Sequence, residues 1–195
     1  MSILLTGFEP FNGAETNPSW EAVSRVAEEI AGHAVYRLRL PVVHGEAADL
    51  VCAEIACLRP EIVICCGVAN GRQGVTPELV AINYRCAKIA DNAGHHYTGQ
   101  PIEQAGPAAY MTSLPVHDMI AAMQAAEIPA SLSLSAGAYV CNDVYYAVLA
   151  CEAAYGHRGL FIHVPGEDVV DADAAARAIT LCIETALKEA AHANR

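Results

Sequence analysis

Glu61-Ile-Val-Ile-Cys-Cys66 is an unbroken apolar run of strand length that stops at Gly67. A strand with one wetted face alternates apolar and polar residues. A run without alternation suits a parallel sheet covered on both sides. Outward from this run the chain keeps switching period. Ser2–Thr6 is a second apolar strand, and Ala34–Leu40 alternates, with Val35, Arg37 and Arg39 on one face and Tyr36, Leu38 and Leu40 on the other. Ser131–Ser135 and Gly159–Val164 read as further strands, and Glu78–Asn83 as extended chain after Pro77. Helical patterns lie between them. Asn17 caps the first and Pro18 opens it, where a missing N–H costs nothing. Trp20, Val23, Val26 and Ile30 then recur at helical spacing as far as Gly32. Other helices are expected over Gly45–Leu58, His117–Ala126, Val140–Tyr155 and Asp171–Ala191, while Cys86–Pro115 reads as short strands in long loops. The alternation predicts one domain over residues 1–195, an α/β fold arranged as a three-layer α/β/α sandwich around a mostly parallel sheet. Functional groups should gather beyond the carboxyl ends of its strands.

Composition narrows the partners. With 54% hydrophobic and 17% charged residues, disorder and a coiled coil are excluded. Twenty-two acidic residues against 11 basic give a net charge of −11. A surface that acidic repels phosphate backbones and anionic lipid, so neither nucleic acid nor a membrane is an expected partner. No unbroken apolar run is long enough for a bilayer, and no basic segment leads an apolar core at the N-terminus. Eight cysteines without an export signal read as reduced thiols, and the expected location is cytoplasmic.

Those cysteines differ in setting. Cys65 and Cys66 sit in the apolar strand, and Cys52, Cys57, Cys151 and Cys182 lie on helices, where core filling is the simplest reading. Cys141 follows the turn Ser135-Ala-Gly-Ala138 and begins a helix, whose free N–H groups and partial positive charge favour a thiolate. The same N–H groups could hold an oxyanion. A thiol nucleophile needs a base, and His163, near the end of a strand and before Val164-Pro165, is placed to supply one. His33, His157 and His192 read as solvated helix-end residues. Cys and His also bind metals, but no paired spacing typical of zinc occurs, and no metal or cofactor is expected. Gly67-Val-Ala-Asn-Gly-Arg72 follows a strand as a phosphate loop would, without the glycine spacing of the known motifs.

Several blocks, in order along nearly the whole chain, resemble the pyroglutamyl peptidase I (pyrrolidone-carboxylate peptidase) family. They are Thr6-Gly-Phe-Glu-Pro-Phe-Asn-Gly13 with Asn17-Pro-Ser19, Gly67–Arg72, Thr76-Pro-Glu-Leu-Val-Ala-Ile-Asn83 and Ala90-Asp-Asn-Ala-Gly94. Gly106-Pro-Ala-Ala-Tyr110, Ser135-Ala-Gly-Ala-Tyr-Val-Cys-Asn142 and Phe161-Ile-His-Val-Pro165 complete the set. The resemblance implies a cysteine peptidase that removes N-terminal pyroglutamate from peptides, often as a homotetramer. It assigns Cys141 as nucleophile, His163 as base and later acid, and Glu78 as the group orienting the imidazole. It also implies that Phe8 and Phe11 clamp the lactam ring, with Tyr139 and Val140 beside the nucleophile. A Cys141–His163 thiolate–imidazolium pair is expected.

The chain departs from the family at Asn12, in a loop that usually reads Phe-Gly-Gly, and at Lys88, where an arginine is common near the substrate. Lysine keeps the charge without the planar fork. Asp143 adds a carboxylate close to the expected thiolate, which is mildly unfavourable. Two other readings stay open. Arg72 and the Gly67–Gly71 loop could hold phosphate for glycosyl transfer, or the chain could bind pyroglutamyl peptides without turning them over.

Overall fold

The computed structural model describes residues 2–193, with side chains described through residue 190. The Glu61–Cys66 run becomes β4 (Ile62–Val68), and it lies where an unalternating run should. It pairs in parallel with β1 (Ser2–Phe8) on one side and with the late strand Arg158–Val164 on the other. A six-stranded sheet grows around it. Beyond β1 come the hairpin strands β2 (Glu29–Ile30) and β3 (His33–Leu40), and at the far edge stands β5 (Thr76–Glu78). Only β2 and β5, the two edges, run antiparallel to their neighbours.

Helices α1 (Pro18–Arg25) and α2 (Glu46–Leu58) come from the first half of the chain. The middle supplies short pairs, β6 (Val80–Ile82) with β9 (Ala109–Met111), and β7 (Arg85–Cys86) with β8 (Thr98–Gln100). Then follow α3 (Val116–Ala125), α4 (Val140–Ala150), α5 (Glu152–Tyr155), β10 (Arg158–Val164) and α6 (Ala172–Ala193). Successive strand residues point to opposite faces, so the sheet sorts its side chains into two cores. Ile3, Leu5, Ile62, Ile64 and Ile162 meet α1, α3 and α6 through Val23, Met119 and Ile179. Leu4, Val63, Cys65 and Phe161 meet α2 and α4 through Val51, Ile55, Val144 and Tyr145. The result is the expected three-layer α/β/α sandwich.

Four local expectations are corrected. The first helix ends at Arg25, and Val26 is extended, with φ −63° and ψ 142°. Ile30 is buried from a strand instead: Ala31 and Gly32, both at positive φ (50° and 82°), make the two-residue turn joining β2 to β3. Gly32 therefore marks a hairpin and not a helix stop. Ser131–Ser135 is no strand. It runs parallel to β5 but bridges only at Ala130–Val75 and Ser133–Glu78. Ser131 N donates to Val75 O and Ser133 N to Pro77 O (3.1 and 3.2 Å), but Pro77 has no N–H to return, and the ladder breaks there. Cys57 is exposed and Cys52 and Cys151 only half-buried, because Cys57 shares the outer face of α2 with Leu50 and Ala53. Finally, His157 is buried, with Nε2 3.0 Å from Val148 O. The His192 side chain lies outside the described residues.

The Asn17 cap does more than start α1. Its Oδ1 accepts from Ser19 N and Oγ (3.0 and 2.8 Å), its Nδ2 donates to Glu9 O (2.9 Å), and Ser19 Oγ accepts from Phe8 N (3.1 Å). The helix start thereby holds the loop that leaves β1. Asn17→Ala is expected to cost about 1–2 kcal/mol, the upper part of the range for a lost cap, because a second buried hydrogen bond goes with it. Urea unfolding measures it, and an unchanged midpoint would contradict this role.

Candidate active site

His163 is the penultimate residue of β10, and β5 lies antiparallel beside it, with Thr76 opposite His163 and Glu78 opposite Phe161. This pairing brings Glu78 Oε1 to 2.7 Å from His163 Nδ1, with both side chains buried. With Nδ1 committed to the carboxylate, Nε2 is left as the proton acceptor. On its other side β10 pairs with β4 in register His163–Gly67.

Gly67 is where the nucleophile enters. A Cβ built on it would stand 2.8 Å from Cys141 Sγ and 2.9 Å from Phe161 Cζ, closer than real atoms approach. Any side chain there would displace the thiol. Phe161 and His163, two residues apart on β10, share that face of the sheet, with ring centroids 4.8 Å apart. Strand pairing thus brings Glu78 to His163, and α4 sets Cys141 against Gly67 beside Phe161, although no hydrogen bond joins Cys141 to His163.

Cys141 stands in the first turn of α4. Its N-cap, Tyr139, is extended and offers no side-chain cap. Asn142 N and Asp143 N both donate to Tyr139 O, while the amides of Val140 and Cys141 find no acceptor among the described residues. Two free N–H groups therefore flank the sulfur. Burial nevertheless pushes the Cys141 thiol up to about 12, and the Glu78 charge adds to this, against the pull of its own amide and of Arg72. Burial also lowers the His163 imidazole from its usual range, Arg72 acting in the same direction and Glu78 in the other. Both directions run against the expected thiolate–imidazolium pair and toward a neutral thiol and imidazole at rest.

Above the sulfur lies a cavity of about 290 Å3, counted to its open mouth, lined by Phe8, Phe11, Asn17, Val42, Val68, Tyr139, Val140 and Cys141. Its described walls carry no charge. Tyr139 and Phe11 face each other at 6.3 Å, and Tyr139 Oη donates to Ala90 O. The Phe8–Phe11 loop is tied down by Glu9, whose Oε1 accepts from Val42 N and Asn92 Nδ2 (3.3 and 2.8 Å). Asn12 takes a φ of 52°, left-handed backbone that asparagine tolerates, so the departure from glycine is accommodated.

Lys88 is exposed and is not among the residues lining this cavity. The guanidinium beside the carboxylate is that of Arg72, whose Nη1 lies 2.7 Å from Glu78 Oε1. Arg72 is therefore engaged inside the protein and does not serve a phosphate loop. Sequence reading also missed two supports of α4. Asn142 is fully buried, donating to Ile82 O and Tyr84 O (2.8 and 3.1 Å) and accepting from Ile82 N (2.9 Å), which ties the segment after Glu78 to the helix. Asp143, also fully buried, holds Gly45 N (2.7 Å) and receives both Arg85 Nε and Arg85 Nη2, the latter at 3.0 Å. The carboxylate expected to disturb the thiolate is neutralised by this two-point pair.

Arg85→Met would strand Asp143 as a buried, unpaired charge. The expected cost is about 3–5 kcal/mol, and Arg85→Met with Asp143→Leu should recover most of it in chemical denaturation. Equal stability of the Arg85 single variant and the wild type would contradict this pairing.

Three comparisons bear on this geometry. A model of the family described as pyroglutamyl peptidase matches residues 1–194. Curated relatives include the pyrrolidone-carboxylate peptidases of Levilactobacillus brevis, 45% identical over 168 residues (85% of this chain, 82% of that one), and Streptomyces coelicolor, 47% identical over 168 residues (84% and 77%). Among solved structures, pyroglutamyl peptidase I of Bacillus amyloliquefaciens superposes with a TM-score of 0.89 at 36% identity, covering 95% of this chain and 96% of that one. Pyrrolidone carboxyl peptidase of Pyrococcus furiosus gives 0.91 at 34%, covering 97% and 99%.

Proposed function

The chain belongs to the pyroglutamyl peptidase family, cysteine-type hydrolases that remove N-terminal pyroglutamate, and we propose that Cys141, His163 and Glu78 carry that reaction within a single catalytic domain. One observation supports this assignment above the others: Cys141 lines an uncharged cavity with aromatic walls. Pyroglutamate is a cyclised lactam whose nitrogen bears no charge. Walls from Phe8, Phe11, Tyr139 and Val140 suit such a ring without demanding a counter-ion. Lys88, exposed outside the lining, is the one expected substrate residue that does not wall this cavity.

The steps follow from the placement. His163 Nε2 takes the Cys141 proton as sulfur attacks the pyroglutamyl carbonyl, so that charge forms only as the bond forms. The carbonyl oxygen becomes an oxyanion held by the free amides of Val140 and Cys141. Glu78, fixed on Nδ1–H, orients the ring and stabilises the imidazolium, which then gives its proton to the departing amine. The C–N bond breaks and a thioester remains. Water, deprotonated by His163, cleaves the thioester, releasing pyroglutamate and the thiol.

The reading extends to a cytoplasmic homotetramer. Among the described residues no helix is long and apolar enough to cross a membrane. Met111 and Leu134, each 64% exposed, are apolar surface of the kind self-association covers. Sedimentation should show a particle of four chains, and a monomer at all concentrations would sink that part.

The activity is tested with a fluorogenic pyroglutamyl amide beside prolyl and glutamyl analogues. Turnover of the pyroglutamyl compound alone is expected, falling on the order of 10³-fold or more in Cys141→Ala. A folded wild type that leaves all three intact, or a Cys141→Ala protein that keeps its rate, would overturn the assignment.

A further inference from the structure

We propose that Arg72 is a positioning residue of the catalytic set, sharing Glu78 Oε1 with His163 and so fixing where that carboxylate sits and offsetting its charge. The inference rests on the Cys141–His163–Glu78 reading and deepens it. Glu78 is wholly buried, and its Oε2 has no hydrogen-bond partner among the described residues. Its side-chain contacts all converge on Oε1, where His163 Nδ1 and Arg72 Nη1 both approach to 2.7 Å. A neutral imidazole cannot offset a buried carboxylate, whereas a guanidinium can.

Arg72 is also bonded beside Glu78 on β5 and to the turn that leads to Cys141. It donates to Thr76 Oγ1, on the strand position opposite His163, and its Nη2 donates to Ser135 O (3.4 Å), in the turn that leads to Cys141. Three acceptors, two on β5 reached by Nη1 and one in the Ser135 turn reached by Nη2, suit the planar fork of an arginine, which a lysine does not reproduce. The loop from Gly67 to Arg72 turns back on itself, Arg72 N donating to Ala69 O (3.3 Å), and this directs the side chain inward.

The electrical consequence concerns His163. The charged and titratable groups around it are Glu78 from β5, Arg72 from the loop after β4, and the Cys141 thiol from α4 with Cys65 behind it. Glu78 favours the imidazolium, and Arg72 opposes it. Without Arg72 the ring would hold its proton to higher pH, and an already protonated ring cannot accept the thiol proton. Arg72 also draws the Cys141 thiol downward, so its loss should raise the pH at which that thiol becomes reactive.

The test compares wild type, Arg72→Gln and Arg72→Lys on the pyroglutamyl amide across pH, with thermal unfolding as a check on folding. Alkylation of Cys141 by iodoacetamide without substrate gives a second readout. For Arg72→Gln we expect kcat to fall about 10–100-fold with KM changed less than about threefold. The acid limb of kcat/KM should move up by about one pH unit, and the alkylation profile should move up with it. Arg72→Lys should restore the limb but not the full kcat. An Arg72→Gln limb that coincides with wild type would overturn the proposal whatever its rate, because a merely structural residue leaves the limb in place. Should Arg72→Gln fail to fold, Arg72→Lys decides: a wild-type limb with kcat down at least about fivefold supports the proposal, and wild-type kcat overturns it. An inactive wild type would instead strike the underlying assignment, so the two failures are distinguishable.

Discussion

A carboxylate carried to the dry edge of the sheet is the constraint around which the site is arranged. Glu78 is placed by its backbone: Tyr145 Oη donates to its carbonyl (2.8 Å), β10 pairs with it on one side, and Ser133 bridges it on the other. So held, its side chain cannot swing to water, and a buried carboxylate without partners would be strongly unfavourable. His163 and Arg72 answer that need from two directions. The orientation of the base, the inward turn of the Gly67–Arg72 loop and the anchoring of the Ser135 turn are then parts of one arrangement.

A second buried carboxylate shows how separately the charges are kept. Asp143 lies two residues from Cys141, yet Arg85 and the Gly45 amide take up its charge on the opposite side of the helix start. Cys141 and His163 occupy the space between, and burial acts on both in the same sense, raising the thiol and lowering the imidazole. Both directions point toward a couple that rests neutral, with charge developing, on the proposed reading, only as a carbonyl arrives to receive it. Aromatic walls and uncapped amides fit that sequence of events, since neither requires a charged ligand.

Much of the frame was legible in the chain because its signals are local. The unalternating Ile62–Cys66 run, the Asn17-Pro18 start and the cysteine behind a glycine turn each carry their meaning within a few residues. Where two local meanings competed, the reading went astray: Gly32 stops helices and also makes hairpins, and only pairing with β3 decides between them. Pro77 offered the signal that would have broken the Ser131–Ser135 ladder, but only in a register that sequence does not reveal. Glu78 came from the family resemblance, since a glutamate after proline looks solvated until β5 is seen to pair with β10. Arg85 and Asn142 were missed for the same reason, and Arg72 was read toward phosphate. Their partners are fixed by tertiary placement, in the case of Arg85 and Asp143 across 58 residues. Lys88 drew attention as a substitution, while the working guanidinium lay elsewhere.

The neutral resting couple is the claim on which this account of the chemistry stands, and it can be observed directly. Isotope-edited NMR of the His163 imidazole, followed across pH in the resting enzyme, reports both its protonation and the proton shared with Glu78. The account predicts an Nδ1–H held by Glu78, an unprotonated Nε2 at neutral pH, and titration below the ordinary value of about 6.5. An imidazolium that persists through pH 7 and loses its proton only as Cys141 is alkylated would contradict it, and would mean that the thiolate–imidazolium pair forms before substrate arrives.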